Sequence, residues 1–156
     1  TYDGTTKKPS IVVKDSKGNT ISSSNYTITY PSGMKNVGTY KVKITFKGNY
    51  SGTKTLTYKI NPAPTTVSKL TAYKKSITVN ITKETPQVTG YQVQYSRSKS
   101  FTNAKTTTVK SYKTTKCTIK DLSRGKTYYV RVRTYKTVDG VRYYSGWSTY
   151  KYTKTK

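Results

Sequence analysis

Apolar and polar residues alternate with period two along most of this chain, and short clusters of Gly, Asn, Pro and Ser interrupt the alternation. The clearest run is Thr127-Tyr128-Tyr129-Val130-Arg131-Val132-Arg133-Thr134-Tyr135. It predicts a central strand with Tyr128, Val130 and Val132 turned inward and Tyr129, Arg131, Arg133 and Tyr135 on the opposite face. Upstream, Tyr26, Ile28 and Tyr30 alternate with threonines, Tyr40, Val42, Ile44 and Phe46 with lysines and a threonine, and Leu56, Tyr58 and Ile60 with Thr57 and Lys59. A shorter run from Ile11 to Lys14 predicts a fourth strand, buried or edge-like. Lys17-Gly18-Asn19, Pro31-Ser32-Gly33 and Gly48-Asn49-Tyr50-Ser51-Gly52 have turn composition.

This spacing predicts a small sandwich over residues 1–61. Asn61-Pro62-Ala63-Pro64 follows, and its prolines stiffen the chain, so residues 62–64 are expected to be a linker. Residues 65–156 then supply seven runs of strand pattern, at 65–70, 77–81, 91–95, 106–109, 116–119, 127–135 and 143–152. Their inward positions are expected to be Ile77, Val79, Ile81, Tyr91, Val93, Tyr95, Cys117, Ile119, Leu122, Tyr128, Val130 and Val132. The fold class expected is all-β, with two tandem β-sandwiches.

Composition changes this picture in two places. Hydrophobic residues make up only 31% of the chain, which by itself suggests disorder, but 17 tyrosines and many Thr and Val residues supply the half-buried surfaces that strands need. The net charge of +25, from 30 Lys and Arg against 5 Asp and Glu, makes a polyanion an obvious partner to consider. Many lysines also alternate with apolar residues, as Lys41 and Lys43 do with Val42 and Ile44, which is the pattern of a solvated strand face.

The inventory of reactive side chains is short. There is no His, and the single Cys excludes an internal disulfide; Cys117 is expected to be a small core residue. His-dependent triads and His/Cys zinc sites are therefore ruled out. Asp3, Asp15, Glu84, Asp121 and Asp139 stand singly, in turns or at strand ends, and no phosphate-binding or dinucleotide glycine motif is present. The expectation is no enzyme activity, no cofactor and no metal site. No specific nucleic-acid signature and no membrane-spanning run are present, and a monomer is expected. The chain opens on Thr1-Tyr2-Asp3-Gly4 without an initiator Met and reads as a piece of a longer protein.

Two stretches carry family resemblances. In Leu122-Ser123-Arg124-Gly125-Lys126-Thr127-Tyr128, the spacing of Leu122, Gly125 and Tyr128 resembles the tyrosine corner of fibronectin type III modules. Tyr144-Ser145-Gly146-Trp147-Ser148 is similar to the WSxWS box of cytokine-receptor fibronectin modules, with Tyr in place of the first Trp. The resemblance covers roughly residues 64–156. It implies that the Tyr128 phenol bonds back to upstream backbone, and that Trp147 stacks with Arg131 and Arg133 in a cation–π ladder that Tyr144 extends. Such a surface could be an internal staple or an aromatic-basic binding face. The chain departs from the family where Ile81 replaces a strand-B Trp and Arg124 the Pro before the corner glycine. Asp139-Gly140 predicts a tight hairpin, and the surrounding loop carries no Arg-Gly-Asp adhesion motif.

In the first segment, Tyr2-Asp3-Gly4, Asn36-Val37-Gly38-Thr39-Tyr40 and Gly48-Asn49-Tyr50-Ser51-Gly52-Thr53 resemble the YDG or MBG-like immunoglobulin-type repeats of large bacterial surface proteins. That resemblance implies an exported, extracellular or cell-wall-associated location and a stalk or spacer role. The function expected is thus a non-catalytic structural, spacer or adhesive module with neighbouring domains of the parent chain as partners. Two alternatives stand beside it: a binding module for an anionic envelope polymer or glycan, such as a teichoic acid or acidic polysaccharide, and an accessory domain of an enzyme located elsewhere in the parent.

Overall fold

The alternating runs form eleven strands and one short 3-10 turn in the computed structural model, which describes residues 1–156. They group into two compact units, Tyr2–Ile60 and Asn61–Lys156.

In the first unit, β1 (Tyr26–Thr29), β2 (Gly38–Phe46) and β3 (Thr53–Ile60) make one antiparallel sheet in the order β1-β2-β3. The register sets Ile28 opposite Ile44 and Val42 opposite Leu56. Val13 and Ile21 are buried with Ile44, and Ile11, Tyr26, Ile28, Phe46 and Leu56 pack against them. The strand expected from Ile11 to Lys14 does not form; its place is taken by an irregular arm with a single bridge, Lys14 to Thr20. The reason is local. The Asp15 carboxylate accepts from the backbone N–H groups of Lys17 and Asn19 at 2.9 and 2.8 Å, so the chain turns back immediately after the run.

In the second unit, β4 (Val67–Ala72), β5 (Ile77–Ile81) and β8 (Lys116–Ile119) form a sheet ordered β4-β5-β8. The facing sheet contains β6 (Gly90–Ser96), β7 (Lys105–Val109), β9 (Thr127–Val138), β10 (Val141–Tyr144) and β11 (Lys151–Lys154). Its order is β10-β9-β6-β7, and β11 also pairs with β9. Between the two sheets Ile77, Val79, Tyr91, Val93, Val130 and Val132 are wholly buried. Two buried phenols find partners there, as buried tyrosines must. Tyr91 accepts from the Glu84 N–H and donates to the Tyr112 carbonyl, both at 3.0 Å. Tyr128 accepts from the Ser123 N–H at 3.0 Å, across a turn where Gly125 adopts φ +66° and Leu122 is buried. Cys117 is half-buried against the core, and burial pushes its thiol up from the ordinary value.

Several boundaries differ from the sequence reading, and β9 runs on to Val138. The first strand of this unit starts at Val67, with a register irregularity between Val67 and Lys69. Residues 62–64 group with the second unit, and the Ala63 carbonyl accepts from the Thr134 hydroxyl at 2.5 Å. The run 143–152 is two strands, β10 and β11, because residues 145–150 leave the ladder. At the other end of β10, Asp139 and Gly140 both take positive φ, 48° and 78°, and close a two-residue hairpin.

Tyr128→Phe is expected to lower the stability of the second unit by about 1 kcal/mol through loss of the bond to Ser123. Urea denaturation of the variant beside the parent chain measures it; an unchanged midpoint would show the bond to be without net weight.

Candidate functional site

The outward face of β9 carries Tyr129, Arg131, Arg133 and Tyr135, because its alternate positions fill the core. On the neighbouring strand β6, Gln92 pairs with Arg133 and Gln94 with Arg131. Both glutamines use this register. Arg131 Nε donates to Gln94 Oε1 at 2.7 Å, and Arg133 Nε donates to Gln92 Oε1 at 2.9 Å, which fixes the planes of the two guanidinium groups.

Residues 145–150 lie along the other side of β9 and bond to it through serine side chains. The Ser145 N–H donates to the Thr134 carbonyl at 3.1 Å while its Oγ accepts from the Thr134 N–H at 3.0 Å. Ser148 does the same to Val132, at 2.8 and 3.0 Å. A serine hydroxyl thus replaces a backbone carbonyl in each pair, and the segment needs surplus length. From Tyr144 opposite Tyr135 to Lys151 opposite Val130 there are seven steps (151 − 144) on this segment against five (135 − 130) on β9. The surplus brings Tyr144 and Trp147, three positions apart, onto the same outer face as the arginines.

The side chains then interleave. Arg133 Cζ lies 4.0 Å from the centre of the Tyr144 ring and 4.3 Å from that of Trp147. Arg131 Cζ lies 5.0 Å from Trp147 and 4.0 Å from Phe101. The order is Tyr144, Arg133, Trp147, Arg131, Phe101, with Trp147 half-buried between two cations. Aromatic contacts continue at both ends. Tyr135 lies 6.2 Å from Tyr144 and under Arg142, while Phe101 leads through Tyr150 and Tyr129 to the exposed Tyr152. Tyr135 is also pressed onto Gly90: a Cβ there would meet its ring at 3.0 Å and the Val109 carbonyl at 2.1 Å. Neither stacked arginine faces a carboxylate, since the chain's ion pair is Lys7 with Asp3 in the first unit. Burial pulls the pKa of Arg131 and Arg133 down, and for Arg133 the nearby Arg131 charge acts in the same direction while Tyr144 opposes it. Both remain cations, as guanidinium groups do at any ordinary pH.

Arg131, Arg133, Tyr144 and Trp147, the four residues singled out in the sequence, are therefore brought into one stack. The sequence reading missed Gln92, Gln94 and Phe101. The glutamines left a signal, two polar residues at period two on the strand predicted from residue 91. Phe101 left none, because it reaches Arg131 from a loop in which it holds φ +61°, a backbone conformation a bulky residue rarely adopts. No group of three or more His, Cys, Asp or Glu side chains comes together in the structure.

A three-stranded sheet facing a five-stranded antiparallel sheet, tied by a buried tyrosine at the start of β9, defines an immunoglobulin-like β-sandwich module. The family model of the fibronectin type III domain matches residues 60–149, more than half of the chain, and the chain belongs to that family. Among solved structures, one described as "Myokine structure" is 23% identical, with 62% of this chain and 98% of that chain covered and a TM-score of 0.46. The fn3 domain of human collagen alpha-1(XX) chain is 20% identical, with 63% and 89% covered and a TM-score of 0.46. No curated protein matches the chain.

Trp147→Ala is expected to destabilise the second unit by about 1–3 kcal/mol, from lost apolar contact and two cation–π contacts. Arg131→Ala and Arg133→Ala should each cost less and should combine with the Trp change non-additively, by about 0.5 kcal/mol or more. A double-mutant cycle in urea measures the coupling, and strict additivity would mean that the three side chains do not act as one stack.

Proposed function

We propose that this chain is a non-catalytic spacer or adhesive module of a larger secreted or wall-associated bacterial protein, and that the outer-face stack is its internal staple. The observation that carries the reading is the seating of Trp147 between Arg131 and Arg133, each with its Nε already donating to a glutamine. Both faces of the indole and the Nε donor of each arginine are thereby engaged within the sheet. Fibronectin type III domains are a common structural and binding module and are typically non-catalytic, which supports the same conclusion. The serine and aromatic pattern of residues 144–148 supports a WSxWS-like staple, and the YDG-like residues of the first unit support a place in a bacterial surface protein among neighbouring domains. An accessory role beside an enzyme domain of the parent is compatible with this reading, since a spacer positions whatever it is joined to.

Two measurements test it. The isolated chain should show no turnover of peptide, glycan or ester substrates, and measurable turnover would overturn the non-catalytic reading. The gene of the parent protein should encode an export signal together with further repeats or a wall anchor; a parent without an export route would remove the envelope assignment.

A further inference from the structure

At the end of the second unit where β6 passes into β7 and β8 passes into β9, the two connections enclose an open cleft of about 780 Å³. Tyr95 and Leu122 give it apolar surface, Asn103 contributes an amide, and Arg97, Lys105 and Lys120 line it with exposed positive charge. Asp121 is the single carboxylate among the lining residues, and it forms no ion pair with the three cations. The local balance is thus positive, and the volume lies in the range of sites that enclose small ligands.

Both walls are held in shape by hydrogen bonds among the lining residues and by contacts to Arg131 and Lys75 outside the cleft. The β6–β7 connection is tied by the Ser96 hydroxyl, which donates to the Thr102 carbonyl at 2.8 Å and accepts from the Ser98 N–H at 3.0 Å. Phe101 then anchors it to Arg131, so the last rung of the stack holds this loop in place. The opposite wall is tied by Tyr128 to the Ser123 N–H and by the Leu122 N–H to the Lys75 carbonyl. Left-handed backbone at Phe101, Asn103 and Asp121 shapes the two loops. Asn and Asp enter that region readily, whereas for Phe101 it is costly and is retained against the Arg131 contact. Unpaired cations, hydrogen-bonding groups and a small apolar floor on pre-ordered loops form a site for a hydroxylated anion.

We propose that this cleft binds one or two units of an anionic, polyhydroxylated polymer, with Arg97, Lys105 and Lys120 meeting its carboxylate or phosphate groups. The small extent of the cleft, confined to two connections, favours a short polymer segment over a nucleic-acid strand, which requires a groove that follows the backbone for many nucleotides. This adds a ligand to the module described above and stands or falls separately from it, because the outward stack reaches the cleft only through Phe101.

Titration calorimetry of the whole chain at about 150 mM salt, where exposed charges more than about 8 Å apart are largely screened, tests the site. The probes are a uronic-acid oligosaccharide, a glycerol-phosphate oligomer, a neutral glucan oligosaccharide and an oligothymidylate. The triple variant R97Q/K105Q/K120Q is compared with K41Q/K43Q/K59Q, which removes the same charge from exposed positions of β2 and β3 in the first unit. The cleft variant should lose about tenfold or more in affinity for at least one of the first two probes while the control loses less than about twofold, with thermal midpoints unchanged. Preference for the uronic acid or for the glycerol phosphate identifies the source of the anion. Equal losses in the two variants, equal or tighter binding of oligothymidylate or neutral glucan, or no binding of either anionic probe would overturn the proposal.

Discussion

Two guanidinium charges lie on the face of a sheet with no carboxylate to receive them, and much of the second unit is arranged around their accommodation. A partly desolvated cation needs either a counter-charge or groups that present negative potential. Here ring faces above and below and a glutamine oxygen at the edge take that part. Each ring position then has a structural cause. Tyr144 comes from the end of β10 and Trp147 from the segment that follows it, Phe101 from the β6–β7 connection, and the glutamines from β6. The stack therefore joins four separate stretches of chain.

The serine segment shows how backbone chemistry makes this possible. A regular strand beside β9 would alternate its side chains, and residues three apart could not share a face. Replacing the ladder carbonyl by the hydroxyls of Ser145 and Ser148 satisfies the N–H groups of Thr134 and Val132 while letting the chain gain length over its partner. No buried side-chain polar atom of the structure is left without a partner, and the Ser145 and Ser148 hydroxyls in turn donate to the Gly146 and Thr149 carbonyls. The same device limits how far the sheet can extend its backbone pairing in this region, since β10 and β11 pair with β9 only above and below it.

The charge of +25 is distributed in two different ways over the molecule. Along β2, Lys41 and Lys43 are exposed beside the buried Val42 and Ile44, and their charge serves solvation of a strand face. Around the cleft of the second unit the cations converge instead of alternating. Five acidic residues cannot pair with 30 basic ones, so most of this charge remains open to the surroundings. Position on the fold, and not the total, separates lysines that alternate along a strand from cations that line one cleft.

Period-two alternation by itself determined the all-β class and the inward set of the second unit, because a strand that buries one face can place apolar residues in only one phase. Val130, Val132, Val79 and Val93 follow directly from it. The arginines and the Trp were also legible, carried by a local motif whose residues lie within about twenty positions of one another. What only the tertiary structure decided depends on contacts between distant segments or on competition from side chains. Asp15 captured the N–H groups next to the run at Ile11 and left an arm where the alternation predicts a strand. Serine hydroxyls divided the last run in two, at Ser145 and Ser148. Gln92 and Gln94 acquired their role from the register of β6 against β9, and Phe101 from a left-handed loop residue, and neither register nor loop conformation is written in the order of apolar and polar residues.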